Sequence, residues 1–359
     1  MIQIKRIITL FVLVFFTSVV FAEVEHSVDS KNKDEFDAST EIMHHISDSH
    51  SWQLFELENK KTGEFRSIEV PLPVILVNNG KLDIFISSMF KEKHDGDIKY
   101  KAYKDYVLYH NKIYLSEDGK LKFNEHHHLE NAQPLDLSIT KNVAGMIFAS
   151  ILILIVFISM ANMYKKGNKV PRGIQGFLEP LVTFIVEDIA KPNIGKKYEK
   201  YVPYLLTIFF FIWFNNMLGM IPIIPGGANV TGNIAVTLTL ATFTMLITNF
   251  SASKNYWKHI IYPPVPKALL IIMVPVEIIG VLSKPFALMI RLFANITAGH
   301  IIVLSLVSLI FIFKTIWISP VSIAFTLFID IIELLVAILQ AYIFTLLSAL
   351  YIGMAIEEH

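Results

Sequence analysis

The sequence predicts an all-α polytopic membrane protein that carries a small β-rich segment near its amino terminus. Hydrophobic residues make up 53% of the 359 positions and the mean hydropathy is +0.52, values too apolar for an ordinary soluble domain. Residues 23–140 are polar and charged, whereas apolar runs long enough to cross a bilayer follow position 143. Lysines cluster between these runs, as they do in cytoplasmic loops.

Composition also excludes several functional classes. The formal net charge is zero, so the chain shows no basic footprint for nucleic acid. The absence of cysteine excludes disulfides, thiolate metal sites and cysteine nucleophiles.

Residues 1–22 are predicted to be a secretory signal peptide. Lys5 and Arg6 precede an apolar core, and Val20 and Ala22 fit a cleavage site. An uncleaved signal anchor is the alternative. Either reading places the following segment outside the cytoplasm.

Residues 23–140 are predicted to be an exported β-rich segment, because short apolar stretches alternate with turn signals such as Asn78-Asn79-Gly80. The segment also contains two histidine groups: His44, His45 and His50, and His126, His127 and His128. Solvated loop histidines are favoured over a metal site, because no spaced carboxylates or cysteines accompany them. No metal and no cofactor are therefore predicted.

Residues 141–359 are predicted to form the membrane domain. The first span covers about 143–163, and the basic residues that follow it mark a cytoplasmic end, in agreement with the signal peptide. Residues 173–190 are too short and too acidic to span, and they predict an amphipathic helix on the cytoplasmic face. The second and third spans cover about 201–220 and 233–250. Lys254, Lys258 and Lys267 then predict a cytoplasmic loop.

The fourth span is predicted to be one long helix over about 267–313. Two spans would need a turn near Lys284-Pro285, where neither a glycine cluster nor a polar loop is found. One helix of roughly 45 residues is about 68 Å long, so it must be steeply tilted. Ser319-Pro320 predicts an N-cap for the last span, about 320–354. Five crossings result, with the amino terminus outside and the carboxy terminus inside.

Arg291 lies deep in the fourth span, where a cation costs roughly 2.5–3.5 kcal/mol on insertion scales. No acid lies within one helical turn of it. We therefore expect its partner on another helix, on another subunit or in a water-filled cavity. The alternative is a structural arginine that snorkels to the interface, which the long apolar flanks disfavour.

The last two spans are predicted to form an antiparallel hairpin that turns near Trp317. His300 lies 17 residues before Trp317 and Glu333 lies 16 after it, so the two should be level. An imidazole beside a carboxylate suits a proton relay. The hairpin is expected to stack polar residues in three tiers: His300 with Glu333 and Asp330, Arg291 with Asn295 and Gln340, and Glu277 with Tyr351.

Residues 143–359 closely resemble subunit a, the stator channel subunit of F-type ATP synthases, of the bacterial type with an extended exported amino terminus. The resemblance is carried by PVE…SKP…RLFAN…AGH, by LQAYIF and by the closing residues of the chain. It implies that Arg291 faces the rotor carboxylate and that protons move through two half-channels. The outer path would contain His300, Glu333, Asn295 and Gln340, and the inner path Glu277, Ser283 and Tyr351. Asn216 fits a polar family position, and Asp330 is an additional acid.

The resemblance further implies a non-catalytic, multi-pass subunit of the cell inner membrane. Its expected partners are the c-ring, the subunit b stator stalk, membrane lipid and protons. Many bacterial members have glutamate where His300 stands and histidine where Glu333 stands, and a reciprocal exchange preserves one acid–base pair. A stand-alone transporter or an intramembrane hydrolase is the alternative. However, inverted repeats, HExxH and Gly-x-Ser-x-Gly are absent. The choice between proton and sodium stays open.

Overall fold

A computed structural model describes residues 42–43, 46–58, 65–95, 98–116, 119–124, 129–165, 173–221, 226–266, 269–313 and 317–357. The predicted signal peptide, His44, His45 and the histidines at 126–128 lie outside these residues, as does Lys267.

The predicted β-rich segment is confirmed, and its described residues form three antiparallel sheets. Its strands are β1 (Ser51–Glu58), β2 (Phe65–Pro71), β3 (Pro73–Asn78), β4 (Lys81–Ile86), β5 (Lys91–Asp95), β6 (Ile98–Tyr103), β7 (Tyr106–Tyr109), β8 (Lys112–Leu115) and β9 (Leu135–Asp136). The sheet orders are β1-β2, β4-β3-β9 and β5-β6-β7-β8. Asn79 and Gly80 turn the β3–β4 hairpin with φ of 47° and 78°, as a two-residue Asn-Gly turn requires.

The membrane domain contains eight α-helices within the described residues. They are α1 (Lys141–Lys165), α2 (Ile174–Phe184), α3 (Lys191–Ile194), α4 (Val202–Met220), α5 (Ile234–Ser251), α6 (Lys254–Ile261), α7 (Leu270–Phe313) and α8 (Ile318–Ile356). By length and composition, α1, α4, α5, α7 and α8 are able to cross a bilayer. The prediction of five long apolar helices is therefore confirmed, and the bounds of each helix lie within three residues of those predicted for a span.

Helix α7 is continuous through Pro275 and Pro285, so the single long fourth span is confirmed. The alternative turn near Lys284 is wrong. A proline in a helix removes one hydrogen bond, and α7 continues on both sides of each proline.

The predicted start of the last helix is wrong. Helix α8 begins at Ile318 after Trp317, and no side chain caps it. Ser319 is therefore a helical residue, and Pro320 lies in the first turn, where the missing N–H has no intrahelical partner to lose. The region predicted as a loop from Lys254 and Lys258 contains α6, whose N-cap Ser253 accepts a hydrogen bond from the Tyr256 backbone N–H at 3.2 Å.

The predicted amphipathic helix corresponds to α2 and a π-helical turn, Ile185–Ala190, that continues from it. Its buried face includes Leu178, Ile185 and Ile189. The rings of Phe177 and Trp213 lie 6.1 Å apart, which brings α2 against α4. The segment also packs on α8, and its position on a membrane face stays a prediction.

The main core of the membrane domain lies between α4, α7 and the carboxy-terminal half of α8. Gly353 of α8 allows α3 to pack closely on α8, because a Cβ there would lie 1.9 Å from the carbonyl oxygen of Asn193. The amino-terminal half of α8 instead exposes large apolar side chains such as Phe328 and Ile331. The hairpin of α7 and α8 thus has one buried end and one open face.

Candidate functional site

The structure brings His300 of α7 and Glu333 of α8 to the same level, as their offsets from Trp317 predict. Nδ1 of His300 lies 3.8 Å from Oε1 of Glu333, and the side chains are 20% and 6% exposed. This distance is too long for a direct hydrogen bond. Oε1 of Glu333 has no hydrogen-bond partner in the described part of the chain. Asp330, one turn earlier on α8, is half-buried, and its charge acts on Glu333.

Gly299 makes room for the Glu333 carboxylate against the backbone of α7. A Cβ at position 299 would lie 2.9 Å from Oε1 and 3.0 Å from Cδ of Glu333, closer than real Cβ contacts. Glycine thus leaves room for the Glu333 side chain in its present position, and a methyl group at position 299 would force that side chain to shift. Sequence reasoning missed Gly299, although its position directly before His300 was a usable signal.

Asn216 joins α4 to α8 beside this pair. Its Nδ2 donates to the carbonyl oxygen of Ala337 at 3.3 Å, and its Oδ1 accepts from the hydroxyl of Thr231. Nε2 of His300 lies 3.9 Å from the position that a Cβ of Gly219 would occupy. His300 therefore faces α4 as well as α8.

Arg291 and Asn295 lie four residues apart on α7, and both are exposed. Leu288, Leu292 and Ile296 of the same helix are buried, so Arg291 and Asn295 share the face that this chain leaves uncovered. Gln340 of α8 is 5% exposed. Within the described residues, no hydrogen bond or ion pair joins Arg291 to the other members of the predicted middle tier.

The third predicted tier is arranged differently from expectation. Tyr351 has Lys284 as its neighbour, with Nζ 5.6 Å from the ring centroid, a cation–π distance. Glu277 instead acts on Tyr256 of α6: burial of Tyr256 and the charge of Glu277 raise the pKa of that tyrosine. Ser283 is exposed, and its hydroxyl donates to the carbonyl of Gly280 at 3.1 Å.

A small cavity lies between α5, α7 and α8. Its volume is about 20 Å³, room for one water molecule. Thr248, Asn249, Tyr256, Lys284 and Tyr351 are among its lining residues. The cavity therefore lies between Tyr256, on which Glu277 acts, and the Lys284–Tyr351 contact. Sequence reasoning did not assign Lys284 or Tyr256 to this group.

No group of three or more His, Cys, Asp or Glu side chains within the described ranges is placed to hold a metal ion. His50, one of the candidate histidines, contacts Asp136 instead, with 2.7 Å between Nε2 and Oδ2.

Comparison with known proteins identifies the family. A family model described as "ATP synthase A chain" matches residues 144–353, more than half of the chain. The chain belongs to this family. A second family model, "Domain of unknown function (DUF8433)", matches residues 41–137, the β-rich segment.

Two similar relatives are proteins named ATP synthase subunit a. The relative from Chloroherpeton thalassium is 52% identical over 233 residues, which cover 62% of this chain and 69% of the relative. The "ATP synthase subunit a 2" of Chlorobaculum tepidum is 52% identical over 243 residues, which cover 65% and 68%. As a member of the ATP synthase A chain family, the chain is an integral membrane protein of the ATP synthase membrane sector. It works in a complex with other ATP synthase subunits in proton transport and ATP synthesis.

Proposed function

We propose that the chain is the proton-translocating stator subunit of an F-type ATP synthase. Two half-channels deliver protons to and from the carboxylate of the c-ring, and proton flow is thereby coupled to rotation and ATP synthesis. The subunit itself catalyses no reaction. The observation that carries this proposal is the exposed arginine on the open face of α7, on the same helix as the half-buried imidazole that lies 3.8 Å from the buried Glu333 carboxylate.

Arg291 supports the proposal in two ways: a charged side chain is costly in a membrane span, and this one is exposed. A guanidinium stays charged at any physiological pH, and in a membrane span it needs an anion as its partner. No residue in the described part of the chain forms an ion pair with Arg291. A rotor carboxylate that passes the exposed face of α7 would meet this need. Arg291 would favour the ionised form of that carboxylate and would bar direct proton passage between the half-channels.

His300 and Glu333 form the proton uptake group in this proposal. Nδ1 of His300 and Oε1 of Glu333 are 3.8 Å apart, so a proton would pass between them through a bridging water or after a small rotation of either side chain. Asp330 adds a second acid on the same side. Asn216, Asn295 and Gln340 supply polar groups between this pair and Arg291.

The release path would run on the other side of Arg291, past Ser283 and the cavity beside Tyr351. Glu277 and Tyr256 would lie at the end of this path. Tyr256 and Lys284 also line the cavity. We place this end in the cytoplasm and the amino terminus outside, in the cell inner membrane. The c-ring, the subunit b stalk and membrane lipid are the proposed partners. Residues 1–22 are the proposed signal peptide.

The test is Arg291→Ala in the whole ATP synthase in membrane vesicles. We expect ATP-driven proton pumping and proton-driven ATP synthesis to fall to background while the complex stays assembled. Ile290→Ala is the matched control, because Ile290 is a neighbouring exposed side chain without charge, and this variant should remain coupled. Normal coupling in assembled Arg291→Ala complexes would refute the stator role and favour a stand-alone transporter.

A further inference from the structure

The β-rich segment is hydrogen-bonded to the start of α1. The Asp48 carboxylate accepts from the Asn142 backbone N–H at 3.0 Å and from the Thr140 hydroxyl at 2.8 Å. The backbone N–H of Lys141 donates to the carbonyl of Ser49 at 2.8 Å. These bonds satisfy groups at a helix amino terminus that would otherwise lack partners. The segment is thus attached directly to the first span.

Trp52 attaches the same segment to a second part of the membrane domain. Its side chain is 7% exposed, and its indole N–H donates to the carbonyl of Gly226 at 3.2 Å. Trp52 also packs in one apolar cluster with Ala228 and Val230. These residues belong to the connection between α4 and α5, named here the 226–233 connection.

The 226–233 connection lies next to the proposed proton uptake group. The carbonyl oxygen of Ala228 lies 3.1 Å from the position of a Cβ at Gly219, and Nε2 of His300 lies 3.9 Å from the same position. Thr297, one turn before His300, donates to the carbonyl of Gly232 at 3.5 Å. The charge of Lys141, beside Asn142, also acts on His300. Contacts therefore run from Trp52 through the connection and Gly219 to His300.

We propose that Trp52 is a positioning residue for proton uptake: through the 226–233 connection, the β-rich segment fixes the surroundings of His300. This inference rests on the proposed function. The ion involved is the proton, passed from water to the His300–Glu333 pair. Loss of the Trp52 anchor frees the connection to shift, which alters both the hydration of His300 and its distance from Glu333.

The test uses the whole ATP synthase in vesicles and measures proton conduction by the membrane sector at a series of pH values on the uptake side. Trp52→Ala is expected to lower conduction severalfold and to shift its pH profile, while the complex assembles. Trp52→Phe retains an aromatic ring but loses the N–H donor, so it should restore part of the rate. Tyr106→Phe is the matched control, since it removes a hydrogen bond to Asp83 in a separate core of the same segment.

A second variant approaches the same contacts from the membrane side. Gly219→Ala places a methyl group against the Ala228 carbonyl and is expected to shift the pH profile as Trp52→Ala does. If both act through the connection, the double variant should show less than the product of the two single effects.

A parent-like rate and pH profile in assembled Trp52→Ala complexes would overturn the inference, as would independent effects of the two variants. Arg291→Ala separates this failure from failure of the proposed function. If Arg291→Ala still abolishes coupling, only the role of Trp52 is refuted; if it does not, the stator role fails as well.

Discussion

The described part of the chain holds two histidine–carboxylate pairs, one in the β-rich segment and one in the α7–α8 hairpin, and their geometry differs. His50 and Asp136 are 2.7 Å apart and 5% and 32% exposed. Asp136 also accepts from the Ser138 backbone N–H at 2.9 Å. His300 and Glu333 are 3.8 Å apart and 20% and 6% exposed.

The difference separates a structural pair from one suited to transfer. The Asp136 carboxylate has its acceptors occupied, so exchange of the His50 partner would cost a formed hydrogen bond. The more deeply buried carboxylate of Glu333 keeps one oxygen without a partner, which is costly unless a proton, a water or the imidazole can satisfy it. A buried polar atom without a partner is expected mainly at functional or strained sites.

The largest expected effect concerns the hairpin pair. Glu333→Gln removes the titrating group at nearly constant volume, and we expect proton pumping and ATP synthesis to fall on the order of 10²-fold, as on loss of a positioned acid–base group. His300→Glu alone should be similarly impaired. The double exchange, His300→Glu with Glu333→His, preserves one acid and one base at the same level and should recover much of the rate.

The control for the hairpin pair is Asp330→Asn, which removes the neighbouring acid and should have the smaller effect. ATP-driven pumping in vesicles, normalised to assembled complex, measures each variant. Full activity of Glu333→Gln, or no recovery in the double exchange, would show that the two side chains do not act as a pair.

A smaller loss is expected from Gly299→Ala. The new methyl group would lie 2.9 Å from Oε1 of Glu333, so the carboxylate or the helix must shift. A displacement of this kind can cost up to about 10²-fold in a proximity-dependent step, and we expect a partial loss of pumping. Gly280→Ala is the matched control on the same helix, because nothing lies within 4 Å of a Cβ there. Equal activity of the two variants would contradict the close approach of α7 and α8 at Gly299.

Much of the fold was predictable because hydropathy and charge act along the chain. Apolar runs fixed the five spans, and the absence of any turn signal at Lys284-Pro285 gave one helix. The equal depth of His300 and Glu333 followed from their numbers of residues before and after Trp317. These predictions use only rise per residue and the cost of polar groups in lipid.

The missed features depend on packing between distant residues. Trp52 and Gly226 are 174 positions apart, and no local pattern relates them. The neighbours of Tyr351 and Glu277, which are Lys284 and Tyr256, were missed because a shared level does not specify which side of a helix faces which neighbour. The start of α6 was different: Ser253 before a short amphipathic run was a readable N-cap signal that the lysines masked.

The smallest effect is expected in the pair of the β-rich segment. Burial raises the pKa of Asp136, but hydrogen bonds from His50 and Ser138 outweigh burial and lower it below its ordinary value. The pair therefore stabilises the fold above about pH 3.9, the ordinary aspartate value, and this contribution is lost as the pH falls through the lowered pKa. Asp136→Asn should raise hydrogen exchange in β3 and β9 near neutral pH, equivalent to about 1 kcal/mol, and the difference should vanish in acid.

Asp105→Asn is the control for this measurement, since Asp105 is an exposed carboxylate of the same segment and its loss should leave exchange in β3 and β9 unchanged. Proton pumping by Asp136→Asn should stay close to that of the parent, because both carboxylate oxygens of Asp136 already accept hydrogen bonds and we expect the pair to be structural. If pumping instead fell as steeply as in Glu333→Gln, the division between a structural pair and a transferring pair would be wrong, and the proton path would have to begin in the β-rich segment.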